Sequence, residues 1–171
     1  MAKIENLLPF ILKWEGGYVH HKSDKGGATN KGVTYKTWID YCKKKGKEAS
    51  LTTLRKMTNA EWIEIFREHS WMPCNADGIM SQRVANILVD WSWMSGTRTA
   101  IKKVQRLLGV TADGIVGVKT LAAINGHSED ALFGQIKEAR KKYYQSIVKK
   151  DPTQQIFLKG WLQRLEDLSR L

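Results

Sequence analysis

The chain has 171 residues, 42% of them hydrophobic and 26% charged, the proportions of a folded globular protein with length for one core and two lobes, and not those of a disordered one. Its 28 Lys and Arg against 17 Asp and Glu leave a formal charge of +11, so it will seek polyanions: nucleic acid, an anionic lipid surface, or a wall bearing carboxylates and phosphate polymers. Two cysteines, Cys42 and Cys74, exclude a disulfide framework, and neither they nor the scattered His20, His21, His69 and His127 have the spacing of a metal site, so no metal and no cofactor is expected.

Ile4, Leu7, Leu8, Ile11 and Leu12 recur at steps of three and four and predict a helix with one apolar face. The same period carries Glu15 onto that stripe, about three turns after Ile4. Burying a lone carboxyl disfavours its ionised form, which suits a general acid that must hold a proton near neutral pH. The plainer reading of Glu15 is a turn cap or a lysine partner. Gly16 and Gly17 stop the helix. Met1 to Asn6 has no charged start leading into an apolar run, so no secretory signal peptide is expected, and no membrane span is visible.

Asp24 follows Glu15 by nine positions, with Thr29 and Asn30 five and six later, in a glycine-rich segment that can fold back over the helix end. Tyr18 to Thr34 is predicted as a small irregular or hairpin segment. Glycosidic bond cleavage needs such a set: a proton donor to the leaving oxygen, and a second group that positions water or stabilises the cationic transition state.

Thr34 can cap a helix running from Tyr35 through Trp38, Tyr41 and Cys42 to Lys43-Lys44-Lys45, with Gly46 as its stop. Gly46 to Met57 reads as a connector with a short helical turn. Thr58-Asn59-Ala60-Glu61 has the form of a capping box, and Trp62, Ile65, Phe66 and His69 share one face until Trp71, Pro73 and Asn75 break the pattern. After the Asp77-Gly78 turn, Val84, Ile87, Leu88 and Trp91 predict a core helix ending near Gly96. Two further helices flank a second turn, and Ala112-Asp113-Gly114-Ile115 faintly echoes Ala76-Asp77-Gly78-Ile79.

Ser128-Glu129-Asp130 opens a long helix with a stripe of Leu132, Ile136, Ala139, Tyr143 and Ile147. Asp151-Pro152 interrupts it, and Phe157, Trp161, Leu162, Leu165 and Leu168 line the last helix. The basic runs Lys43-Lys44-Lys45, Lys102-Lys103, Lys141-Lys142 and Lys149-Lys150 are placed near helix ends, where cations complement the dipole. Alternating β-branched stretches are almost absent, so the fold class is mainly α.

The run Trp14-Glu15-Gly16-Gly17-Tyr18, then Asp24, Gly26-Gly27-Ala28-Thr29-Asn30-Lys31-Gly32-Val33-Thr34 and Trp38, resembles the signature of glycoside hydrolase family 108, the lysozyme-like N-acetylmuramidases also described as secretion activator proteins. The resemblance implies a lysozyme-like fold with Glu15 as the catalytic acid. The spacing of Glu15, Asp24 and Thr29 is also similar to that of the catalytic Glu, Asp and Thr of small phage lysozymes, which implies catalytic roles for Asp24 and Thr29. Residues 101–125 resemble the peptidoglycan-binding region that follows the family motif, and Phe157, Gly160-Trp161 and Arg164 resemble its end. The plainer reading of 101–125 is a helix, turn and helix that complete the core.

The expected organisation is therefore a lysozyme-like catalytic region over 1–96 and a helical peptidoglycan-binding-like region over 97–171, packed as one unit. Asp90 matches an acidic position of the family, while Met94 departs from the polar amide common there. Trp14, Trp38, Trp62, Trp91 and Trp161 fall at core spacing, whereas Tyr18, Trp71 and Trp93 are placed to stack on sugars. With Asn30 and Asp90 these three form the expected substrate contacts.

The implied activity is hydrolysis of the β-1,4 bond between N-acetylmuramic acid and N-acetylglucosamine. The implied partner is the peptidoglycan glycan strand, with no nucleic acid, no stable membrane insertion and a monomeric chain. The alternatives are a lytic transglycosylase, which needs only one catalytic Glu, and a non-catalytic wall-binding or secretion-activating module. Made in the bacterial cytoplasm without a signal peptide, such an enzyme would reach the periplasm or wall by holin-like release, as a phage endolysin or in a secretion role.

Overall fold

The structure, a computed structural model, describes residues 1–19 and 27–171; His20, His21 and Asp24 lie outside the described residues. The backbone divides into two compact units, one of Leu8–Glu68 and one of Met1–Leu7 with His69–Leu171.

In the unit Leu8–Glu68, helix α1 (Leu8–Trp14) starts later than the apolar period suggests. Ile4–Asn6 forms a separate 3-10 turn, because Pro9 has no N–H to donate and fits only the first turn of a new helix. Three antiparallel strands follow in the order β1 (Tyr18–Val19), β2 (Thr29–Asn30), β3 (Val33–Thr34). Tyr18 stands opposite Asn30 and Val19 opposite Thr29, while Asn30 pairs with Val33 and Thr29 with Thr34.

Lys31 and Gly32 join β2 to β3, both at positive φ (46° and 77°), the turn conformation whose twist matches that of the strands. Lys31 lacks glycine's freedom and is held there by two bonds. Trp62 Nε1 donates to its carbonyl at 2.8 Å, and its ammonium donates to Asn59 Oδ1 at 2.6 Å.

Helix α2 (Tyr35–Lys45) begins on Thr34, whose hydroxyl accepts from the Thr37 amide, and ends at Gly46 as the sequence predicts. Helix α3 (Leu51–Arg55) begins on a Ser50–Thr53 capping box, and α4 (Asn59–Phe66) on the expected Thr58–Glu61 box. Beyond Phe66 the chain continues as a π-helical turn, Arg67–Trp71. Trp38, Tyr41, Leu54, Trp62, Ile65 and Phe66 are buried together with Val33 and Ala28. Polar contacts set their register: Trp38 Nε1 donates to Thr53 Oγ1 at 2.9 Å, and the Tyr41 hydroxyl donates to Glu64 at 2.8 Å.

In the other unit, Met1–Leu7 is stitched to the start of α5 (Gln82–Ser95). The Lys3 amide and Asn6 side chain donate to Gln82 Oε1, and Gln82 Nε2 returns a bond to the Lys3 carbonyl. Helix α5, buried along most of its length, packs against α6 (Thr97–Leu107) and α8 (Glu129–Lys150), and α9 (Gln155–Leu168) packs on α8. The buried face of α8 is Leu132, Phe133, Ile136, Arg140 and Tyr144, in place of the predicted stripe through Ala139, Tyr143 and Ile147. Arg140 takes the inner position, for a reason given below. In α9, Arg164 joins Leu165 and Leu168 inside, while Phe157 is exposed. Lys102-Lys103 and Lys141-Lys142 lie within α6 and α8 and not at helix ends.

The two Asp-Gly segments differ in backbone despite their shared letters. Gly114 has φ 85°; Gly78 has no unusual φ, but a Cβ there would lie 2.7 Å from Leu121 of α7 (Val118–Gly126), so it permits close approach of that helix. Asn125 fixes the approach, donating to the Gly78 carbonyl and accepting from the Met80 amide, each at 2.9 Å. The loop before α7 is organised by the buried Gln105 amide. Its Nε2 donates to Asp113, the Ile115 carbonyl and Thr120, and its Oε1 accepts from the Gly114 amide at 2.8 Å. Gln105→Leu keeps the volume and removes all of these bonds. It is expected to lower stability by about 1–3 kcal/mol, read from the midpoint of urea unfolding; an unchanged midpoint would refute the clamp.

Candidate active site

Glu15 follows the last residue of α1 and extends the helix by one bond, its amide donating to the Ile11 carbonyl at 3.0 Å. The residue is half-buried, and Gly16 and Gly17 after it are exposed. Among the described residues, a Cβ at either glycine would meet nothing within 4 Å. Both glycines are exposed and leave bare backbone next to the carboxyl-bearing residue.

Two residues on, β1 opens with Tyr18, half-buried with the Arg55 guanidinium 5.6 Å from its ring centre. Side chains alternate across a strand, so the pairing puts Thr29 on one face of the sheet with Val19 and Thr34, and Asn30 on the other with Tyr18 and Val33. Thr29 is half-buried, and its neighbour Val19 is 46% exposed. Glu15, Tyr18, Thr29 and Asn30 thus belong to one compact unit, with Asp24 in the segment between β1 and β2, outside the described residues.

Asn30 departs from its expected role as a substrate contact. It is 5% exposed, and its amide donates to the Leu54 carbonyl at 2.8 Å and the Arg55 carbonyl at 3.4 Å. The side chain ties the sheet to α3, and so supports the position of its neighbour Thr29.

The remaining expected contacts, Trp71, Asp90 and Trp93, belong to the other unit. Trp93 is half-buried on α5. Trp71 is fully buried, with Nε1 donating to Asp77 at 2.8 Å, because the π-helical turn keeps it inside where a helix end was expected to release it. Asp90 is also fully buried, and both its oxygens are occupied. Arg140 donates to Oδ2 at 2.5 Å, and Arg164 donates to Oδ1 from Nε at 3.0 Å and from a terminal nitrogen at 2.7 Å. Trp71 and Asp90 therefore support the core and present no surface to a glycan.

The ionic role of the two arginines was not read from the sequence, which singled out Arg164 only as part of the family's end pattern and Arg140 not at all. Arg140 falls four positions from both Ile136 and Tyr144 on the buried face of α8, and a charged residue on an apolar stripe is the signal that could have found it. Neither cysteine offers a nucleophile: both are buried and unpaired, and burial pushes the Cys74 thiol up to about 12. Among the described residues no three His, Cys, Asp or Glu side chains gather as a metal-holding group.

One unit is mainly helical with a buried ionic core, and the other carries a half-buried carboxyl-bearing residue and a threonine at a small three-stranded sheet, the elements of a mainly helical, lysozyme-like fold. Comparison with known proteins agrees. Residues 8–96 match the family model described as Glycosyl hydrolase 108, just over half of the chain, and residues 99–166 match the one described as Predicted Peptidoglycan domain. The chain belongs to the glycosyl hydrolase 108 family, and its two segments mark it as acting on peptidoglycan. Twelve chains of solved structures match it, among them that titled "Structure of Brucella abortus SagA", 32% identical over 97% of this chain and 91% of that one, with a TM-score of 0.80. A search of curated proteins returns no match.

The buried ion cluster should shape the acid stability of the fold. Burial pushes the Asp90 carboxyl up, but Arg140 and Arg164 outweigh it and hold the carboxyl below the ordinary 3.8. A value lower in the folded than in the unfolded chain means that its stabilisation is fully present above 3.8 and is lost as the pH falls through the folded value. Asp90→Asn is expected to cost about 3 kcal/mol or more near neutral pH. In urea unfolding the gap to wild type should close as the pH drops below 3.8, and a gap that does not change with pH would show that the charge is not what matters.

Proposed function

We propose that this protein is an N-acetylmuramidase that cleaves the β-1,4 bond between N-acetylmuramic acid and N-acetylglucosamine, with Glu15 donating its proton to the leaving glycosidic oxygen. The observation that carries this reading is the setting of Glu15: half-buried at the end of α1, followed by two exposed glycines whose Cβ positions meet no described residue within 4 Å. Partial burial suits a group that must both hold a proton and meet a substrate, and bare backbone lets a sugar ring approach closely.

Thr29, on the strand face shared with exposed Val19, assists in placing water, and Asp24 supplies the second carboxylate that orients water or stabilises the sugar cation. Tyr18 contributes an aromatic surface for a sugar. Catalysis falls to residues 1–96 and wall binding to 97–171, a division that the two matched segments support. The enzyme reaches the wall by holin-like release, in phage lysis or in a secretion role.

Digestion of purified peptidoglycan by the wild type and by Glu15→Gln, with mass spectrometry of the released fragments, tests the assignment. The expected products carry reducing-end muramic acid and fall by about 100-fold or more in the variant, the scale of losing a general acid. Anhydro ends would move the assignment to a lytic transglycosylase. Wall binding by both proteins with no release from either would leave a binding module.

A further inference from the structure

A groove of about 340 Å³ runs between α6 and α8, lined by Lys103, Arg106, Ala139, Lys142, Tyr143 and Ser146. Its three cations are gathered around one groove and differ from the basic residues that are ion-paired elsewhere. Lys44, Lys45, Lys47, Arg83 and Lys137 each stand within 3.2 Å of a carboxylate. Lys103, Arg106 and Lys142 have no carboxylate partner among the described residues. Lys103 is held in place by the ring of Tyr143, its ammonium 4.7 Å from the ring centre. Partial burial, and then the like charges of Arg106 and Lys150, push its ammonium below the ordinary lysine value, so the groove concentrates positive charge that no carboxylate among the described residues pairs with.

Both helices lie within the segment that matches the peptidoglycan domain. Peptidoglycan carries its negative charge as carboxylates on the short peptides attached to muramic acid, while its glucosamine units are neutral. We propose that this groove binds the acidic stem peptides of peptidoglycan. Arg106 offers a planar fork to a carboxylate, Lys103 and Lys142 add point charges on either side, and Ala139 with the Tyr143 ring gives an apolar floor for alanyl methyl groups. A volume near the lower end for small-molecule sites accommodates a short peptide segment. The proposal rests on the peptidoglycan-acting reading and is independent of Glu15 chemistry.

The test measures binding of Glu15→Gln protein, which leaves the polymer uncut, to peptidoglycan strands with their stems and to the same strands stripped of stems by an amidase, whose cut leaves one lactyl carboxylate on each muramic acid. Lys103→Gln/Arg106→Gln/Lys142→Gln, added to that background, is expected to lose about tenfold or more in affinity for stem-bearing strands and clearly less for stripped ones, which keep charge but no peptide. Lys36→Gln/Lys43→Gln/Lys56→Gln removes the same charge from exposed positions of the other unit and is expected to bind both polymers as its parent does. If the triple groove variant does not fold, Arg106→Gln alone, at an exposed position, gives the same comparison.

Equal losses on both polymers, or an equal loss in the control, would overturn the proposal. So would a groove effect seen only with duplex oligonucleotide or phosphatidylglycerol vesicles. Failure of the muramidase reading would appear in the digestion products and leave this binding difference in place.

Discussion

Asp90 accepts hydrogen bonds from Arg140 and Arg164, residues 50 and 74 positions away, and so joins α5, α8 and α9 at one buried point. Each partner needs the others. A carboxylate or guanidinium alone in that interior would face a desolvation cost of several kcal/mol, and mutual attraction offsets it only where geometry is good. Aromatic groups complete the surroundings of Arg140. Arg140 Nε donates to the Tyr144 hydroxyl at 2.7 Å, its guanidinium lies 5.5 Å from that ring, and the ring packs against Trp161. Apolar faces alone would tolerate a helix sliding by a turn; these directed bonds do not.

The same constraint orders the outside of the unit. With Arg140 committed inward, the helical period turns Ala139, Lys142 and Tyr143 toward α6, where Lys103 and Arg106 meet them. Helix α8 therefore carries a paired arginine on its core face and, two residues on, Lys142, a cation with no carboxylate partner among the described residues. Much of the basic excess of the chain reads as solvated charge, but this part of it is placed by the core.

Features set by near neighbours were legible in the sequence. The Thr34 cap, the Thr58–Glu61 box, the stop at Gly46 and the break at Asp151-Pro152 each depend on residues within a turn of one another, and each stands where the pattern put it. Partners remote in sequence were not legible. Asp90 showed its charge but not the arginines that consume it, and so resembled a substrate contact. Trp71 followed a helical pattern that ended in sequence but continued in space as a π-helical turn. Asn30, small and polar beside Thr29, resembled a second site residue until its amide was seen bound to the Leu54 carbonyl. At the site itself Glu15 and the strand carrying Thr29 were legible as a motif, because glycine spacing and hairpin chemistry are local.

Strands of two residues have no independent stability, and a sheet of three of them cannot place a catalytic side chain by its own hydrogen bonds. Here the sheet takes its position from the helices behind it. Trp62 of α4 holds the β2–β3 turn through the Lys31 carbonyl, Asn30 fastens β2 to the last residues of α3, and the Tyr35 amide at the start of α2 donates to the Ala28 carbonyl just ahead of β2. Three helices thus fix a strand pair whose outer face carries Thr29. The interior of this unit, with Trp62 and Leu54 fully buried, then acts on the site at one remove: a cavity opened under α3 or α4 would displace Thr29 without touching it. Glu15 is carried by a different element, the end of α1, where its amide closes the last helical bond onto the Ile11 carbonyl.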